Sequence, residues 1–128
     1  MANKNRVFVS FAMEDKVYRD FLIGQARNRK SPFEFINMSV SEPWDTQWKS
    51  RCRTRIKGCD GMIALVSRNT SKAAGALWEI KCAKEEGIPL VAIYCNSIRK
   101  PAYLPRELSG VRVLNWTWVN IGKFMDRL

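Results

Sequence analysis

Met62 to Val66, MIALV, is the stretch that most narrows what this chain can fold into. An unbroken apolar run of this length describes a strand covered on both faces, and such strands belong to sheets with helices packed on each side. Arg6 to Phe11 (RVFVSF) and Ile88 to Cys95 (IPLVAIYC) have the same character. Phe33 to Met38 (FEFINM) alternates apolar and polar side chains, as a strand with one partly exposed face does, and Val111 to Leu114 supplies a short fifth strand.

The segments between these runs have helical spacing. Glu14 to Arg27 carries Val17, Phe21 and Leu22 at helical intervals. Asp45 or Thr46 caps a helix in which Trp48, Cys52 and Ile56 recur every fourth residue, while Lys49, Arg51, Arg53, Arg55 and Lys57 occupy the other faces. Ser67 through Gly87 reads as a polar loop followed by a helix. With Leu77 as the angular reference, Ala73, Ala76, Ile80 and Ala83 form its core stripe; Glu79 lies at the margin of that stripe and Trp78 nearly opposite it. Trp116 to Leu128 closes the chain as a helix using Val119, Phe124 and Leu128. Alternating strands and helices imply right-handed crossovers, and hence a flavodoxin-like, doubly wound, five-stranded parallel sheet in the order 2-1-3-4-5.

The 128 residues, 46% of them hydrophobic, are expected to form a single domain spanning 1–128. No apolar run approaches a membrane span and MANKNRVFVSF lacks a separate signal core, so a cytoplasmic protein without membrane contact is expected. The chain has four cysteines, no CxxC pair and no histidine, so no metal site is expected and Ser-His or Cys-His catalysis is excluded. Any chemistry then rests on carboxylates, hydroxyls, Lys or Arg. The net charge of +10 favours anionic partners in general. Aromatic residues do not interleave regularly with the basic ones, so nucleic acid is not the expected partner.

Ligands of doubly wound sheets bind at the carboxyl ends of the strands. Those ends bring Ser10, Phe11 and Ala12, then Ser39 to Trp44, then Ser67 to Ser71, then Asn96 and Ser97 to one edge. Glu79, in the second turn of its helix, falls within reach of that edge. A receiver domain would need an acidic pair after the first strand and an Asp after the third, where this chain has Val9-Ser10-Phe11 and Val66-Ser67-Arg68. Neither a GxGxxG nor a GxxxxGK[ST] motif is present, so the common nucleotide-binding loops are absent.

VFVSFAMED, FINMSVSEPWDTQWKSRCRTRIKGCDGMIALVS, LWEIKCAKEEGIPLVAIY and VRVLNWTWVNI, in this order and spacing, resemble the Toll/interleukin receptor (TIR) domains. The resemblance covers almost the whole chain and points to the TIR-like branch that includes the small bacterial proteins of Thoeris anti-phage defence. It implies cleavage of the nicotinamide glycosidic bond of NAD, with NAD as substrate and no separate cofactor, and Glu79 matches the position of the family's essential glutamate. Phe11 and Trp44 are then candidates to pack against the nicotinamide or adenine ring, and Ser10 to donate a hydrogen bond. Trp78 is a candidate for substrate binding or for an intermolecular contact. The alternative for Glu79 is a solvated helix glutamate paired with a base such as Lys81 or Lys84.

Relatives of this type often carry a second tryptophan four positions before the glutamate, where this chain has Gly75. The glycine implies a wider pocket or a weaker activity. The resemblance also implies self-association, or association with another TIR or effector protein, through the loop Ser39 to Trp44. A TIR module that binds partners without enzymatic activity is the competing expectation.

Overall fold

A computed structural model describes residues 5–28, 33–36 and 46–128. Within them, five strands form one sheet, all pairs parallel, in the order β2-β1-β3-β4-β5. The elements run β1 (Asn5–Ser10), α1 (Lys16–Asn28), β2 (Phe33–Ile36), α2 (Thr46–Lys57), β3 (Gly61–Val66), α3 (Ala74–Glu85), β4 (Leu90–Tyr94), β5 (Val113–Leu114) and α4 (Trp118–Asp126). This is the topology expected from the alternation of apolar runs and helical segments.

The two faces of the sheet are sorted by the period-2 alternation of the strands. Val7, Val9, Ile63, Leu65, Val91 and Ile93 point to the face covered by α1 and α4, where Leu22, Ile121 and Met125 meet them. Phe8, Met62, Ala64, Val66 and Ala92 point to the opposite face and pack with Trp48, Cys52 and Ile56 of α2 and Ile80, Cys82 and Ala83 of α3. β3 is buried at every position, as a strand enclosed on both faces must be. Two glycines carry backbone requirements. Gly87, at φ +70°, ends α3 in the left-handed region that favours glycine, and at Gly61 a Cβ would lie 2.8 Å from Leu128 Cδ2.

Several expected helix faces turn differently. In α1 the core is reached by Leu22 and Ala26, while Val17 and Phe21 are exposed. Phe21 precedes Leu22 by one residue, a 100° rotation, and so leaves the buried side. In α4, Ile121 and Met125 enter the core and Val119 is exposed, whereas Phe124 and Leu128 pack at the core's edge as expected.

The largest correction concerns α3. Its buried residues are Ala76, Glu79, Ile80, Cys82 and Ala83. These occupy an arc in which Glu79, expected at the margin, is near the middle, and Leu77, the angular reference above, is at the edge. Trp78 is not turned away from the core: it packs against the α2/α3 core cluster. Gly75 is the second residue of α3, and the helix forms around it, with Leu77 N bonded to Ala73 O at 3.0 Å.

Candidate functional site

The carboxyl end of β1 and the first two turns of α3 build the site. Ser10 has the same strand parity as Phe8, so its hydroxyl points to the α2/α3 face, while Glu79 descends from α3 to meet it. Ser10 Oγ lies 2.9 Å from Glu79 Oε1 and 3.3 Å from the carbonyl oxygen of Ala76. From α2, the Cys52 thiol donates to Glu79 Oε2 at 3.7 Å. Each carboxyl oxygen thus has one donor, one from the sheet and one from a helix. Glu79 is 3% exposed, which excludes the solvated glutamate paired with a lysine. Lys84 instead donates to the backbone carbonyls of Glu107 and Ser109.

Electrostatics follow from this enclosure. Burial pushes the Glu79 carboxyl up to about 8, and the hydrogen bonds from Ser10 and Cys52 pull against that rise without overcoming it. Glu79 therefore holds its proton well above the usual carboxylate range. The Cys52 thiol is pushed up still further, first by burial and then by the adjacent Glu79 charge, and stays protonated. A serine hydroxyl has one proton to give and two lone pairs. When Glu79 is ionised, Ser10 donates to the carboxylate. When Glu79 is neutral, its own O–H donates to Ser10, whose hydroxyl then donates its hydrogen bond to Ala76 O.

The remaining candidates lie apart from this pair. Phe11 is half-buried against the other core cluster, with the Arg19 guanidinium 5.1 Å from its ring centroid. Trp78 packs on Trp48 of α2 with ring centroids 5.4 Å apart, and the Arg53 guanidinium sits 5.6 Å from the Trp78 ring. Such a pair contributes about 1 kcal/mol beyond burial. Trp44 and the loop Ser39 to Trp44 lie outside the described residues.

Two residues were missed by sequence reasoning. Cys52 was assigned to the core by its spacing with Trp48 and Ile56, which is correct, but its contact with Glu79 joins residues 27 positions apart and leaves no local signal. Asp15 stands in the VFVSFAMED stretch and is 2% exposed. It accepts from Ser67 Oγ at 2.5 Å and from Asn69 Nδ2 at 3.1 Å, tying the turn after β1 to the turn before α3. An acidic pair, Glu14-Asp15, in the short turn that follows a buried strand was the available signal.

The family description "Thoeris protein ThsB, TIR-like domain" matches residues 8–100. The chain belongs to this TIR-like family. Among solved structures it is similar to the TIR domain of the Toll-related receptor TRR-2 from Hydra magnipapillata, with TM-score 0.69, 13% identity, and coverage of 94% of this chain and 97% of that one. It is also similar to the TIR domains of the activated Roq1 resistosome, with TM-score 0.53 and 14% identity over 71% of this chain and 57% of that one. At these identities the two structures speak to the fold, and it is the TIR fold. No curated protein matches the chain. Among the described residues of this TIR domain, no helix is long and apolar enough to cross a membrane.

Proposed function

We propose that this TIR domain cleaves NAD in anti-phage defence, releasing nicotinamide and leaving ADP-ribose, or a cyclic or conjugated form of it, as a signal. The observation that carries this reading is Glu79: a buried carboxyl at the carboxyl edge of a doubly wound sheet, gripped at both oxygens, at the position where the family resemblance places the essential glutamate. Its environment suits the chemistry. As the bond from ribose C1′ to the ring nitrogen breaks, its electron pair goes to nicotinamide, which departs neutral without needing a general acid. The ribose becomes oxocarbenium-like, and a carboxylate beside it stabilises the developing positive charge. Water or another hydroxyl then bonds to C1′, and its proton passes to Glu79 or to solvent.

Two conditions must be met for this role. Glu79 must ionise, and the cationic nicotinamide ring supplies the counter-charge that lowers its pKa. It must also be uncovered, because a group 3% exposed is not reached by a dinucleotide. Association through the Ser39 to Trp44 loop, with another copy or another TIR or effector protein, would supply the rearrangement. Phe11 and Trp44 are retained as candidates for ring packing. Ser10 acts through Glu79 in the first instance, and a substrate role for Trp78 requires it to leave Trp48. The active unit in this proposal is a single cytoplasmic domain, residues 1–128, that works as an oligomer.

The test is nicotinamide release from NAD at increasing protein concentration, with Glu79→Gln as the control. Activity unchanged by that substitution would remove Glu79 from the mechanism. The burial of Glu79 also favours a second reading, a TIR interaction module without enzymatic activity. Stable complexes in pull-downs, with no nicotinamide released at any protein concentration, would establish that reading instead.

A further inference from the structure

We infer that Cys52 is a positioning residue for Glu79: it holds Oε2 while Ser10 holds Oε1, so that α2 sets where the carboxyl points and how readily it ionises. The inference deepens the proposed function, since it takes Glu79 as the acting group, but its geometry stands without it. Cys52 is fully buried, and its Sγ reaches Oε2 at 3.7 Å. The other donor, Ser10, sits on β1, which is hydrogen-bonded to β2 on one side and β3 on the other. A strand inside a sheet is fixed, whereas a helix lying on the sheet can shift against it. The position of α2 is therefore the adjustable part of the grip.

Beyond the core packing of Trp48, Cys52 and Ile56, the residue next to Cys52 ties α2 to α3. The Arg53 guanidinium donates to Glu86 at 2.5 Å and to Glu85 at 2.9 Å, both at the carboxyl end of α3, and its cation lies over Trp78. With the Trp48–Trp78 contact, this clasps α2 to α3 on either side of Cys52. A thiol is a weak donor, so it orients the carboxyl while favouring the carboxylate less than a hydroxyl would. The groups acting on Glu79 are Ser10 from β1 and Cys52 from α2. Cys82, on the same helix as Glu79, and Arg55 act on the Cys52 thiol. Among the described residues no Lys or Arg pairs with Glu79, so a change in one donor is not masked by a nearby cation.

The test follows the Glu79 carboxyl by carbon-13 NMR through a pH titration, in the natural chain and in Cys52→Ala. Loss of a donor disfavours the carboxylate, so Cys52→Ala should move the midpoint upward by about one pKa unit, or about tenfold less carboxylate at a given pH below it. The S–H stretching band of Cys52, obtained as the difference between the two Raman spectra, should shift as Glu79 ionises and lose that response in Glu79→Gln. The pH profile of nicotinamide release should move with the midpoint, lowering kcat/KM at pH 7 severalfold. Arg53→Met keeps an apolar stem over Trp78 and removes the ion pairs; it should speed alkylation of Cys52 and move the Glu79 midpoint.

An unmoved midpoint in folded Cys52→Ala, or an S–H band indifferent to the Glu79 titration, overturns the inference. Should Cys52→Ala not fold, Cys52→Ser takes its place in the difference spectrum, which separates this thiol from the other three, and the Arg53→Met midpoint is read beside it. Nicotinamide release with an unmoved midpoint leaves the proposed function standing and removes the role of Cys52. A shifted midpoint without any NAD cleavage does the reverse.

Discussion

Asp15 and Glu79 are both buried acids at the same edge of the sheet, 2% and 3% exposed, yet they are held differently. Asp15 takes a hydroxyl at 2.5 Å and an amide at 3.1 Å, and its partners are themselves tied: Asn69 N donates to Ser67 Oγ, and Ser67 N to Thr70 Oγ1, each at 2.9 Å. Glu79 takes a hydroxyl that it shares with Ala76 O, and a thiol at 3.7 Å. One acid is a closed clasp between two turns. The other is provided with donors too weak to offset its burial, and so it stays responsive to whatever charge arrives beside it.

The comparison can be broken in four ways. Glu79→Gln should reduce nicotinamide release about a thousandfold, the combined scale of lost charge stabilisation and proton handling, while the fold is kept. Unfolding in urea would expose a failure, since a loss of stability in Glu79→Gln as large as that at Asp15 would make the two acids equivalent. Asp15→Ala should cost about 3 kcal/mol of stability, because it leaves the Ser67 hydroxyl and the Asn69 amide buried without their acceptor. A loss under 1 kcal/mol by the same measurement would mean that the clasp is slack.

Next comes the pH dependence of stability. The Glu79 pKa is raised in the folded chain, from 4.5 to about 8, so its protonated form is favoured by folding. That contribution is complete below about 4.5, declines by on the order of 1 kcal/mol per pH unit between the two values, and is gone above about 8. Thermal or urea unfolding from pH 5 to 9 should show the decline in the natural chain and lack it in Glu79→Gln. The smallest effect belongs to the exposed Phe21 of α1. Phe21→Ser should change stability by about 0.5 kcal/mol or less, and a larger loss would show that this surface is covered in solution.

The strands were legible because a buried parallel strand leaves an unmistakable apolar run, and MIALV became β3 with only Gly61 added in front. The facing of α3 was not. Its buried arc holds Ala76, Ile80, Cys82, Ala83 and Glu79, and counting the apolar Leu77 into the stripe in place of the acid left Glu79 at the margin. Trp78 was misplaced for a related reason: its partner, Trp48, belongs to another helix, and a contact between helices has no periodicity within either one. The same holds for the grip on Glu79, whose members come from β1, α2 and α3. Resemblance named Glu79 from the residues around it, but only the packing of α2 on α3 brings Cys52 to it.

That Glu79 is buried without a pairing Lys or Arg among the described residues has a consequence for ligand discrimination. On the proposed function, NAD binding exchanges the Glu79 proton for the charge of the nicotinamide ring. The measured heat of binding would then depend on the ionisation enthalpy of the buffer, and affinity would rise by up to about tenfold per pH unit toward 8. The reduced dinucleotide, whose ring is neutral, would release no proton and gain nothing from the exchange. The site would therefore sense the oxidation state of its ligand through a proton, with no contact made to the atom that distinguishes the two forms.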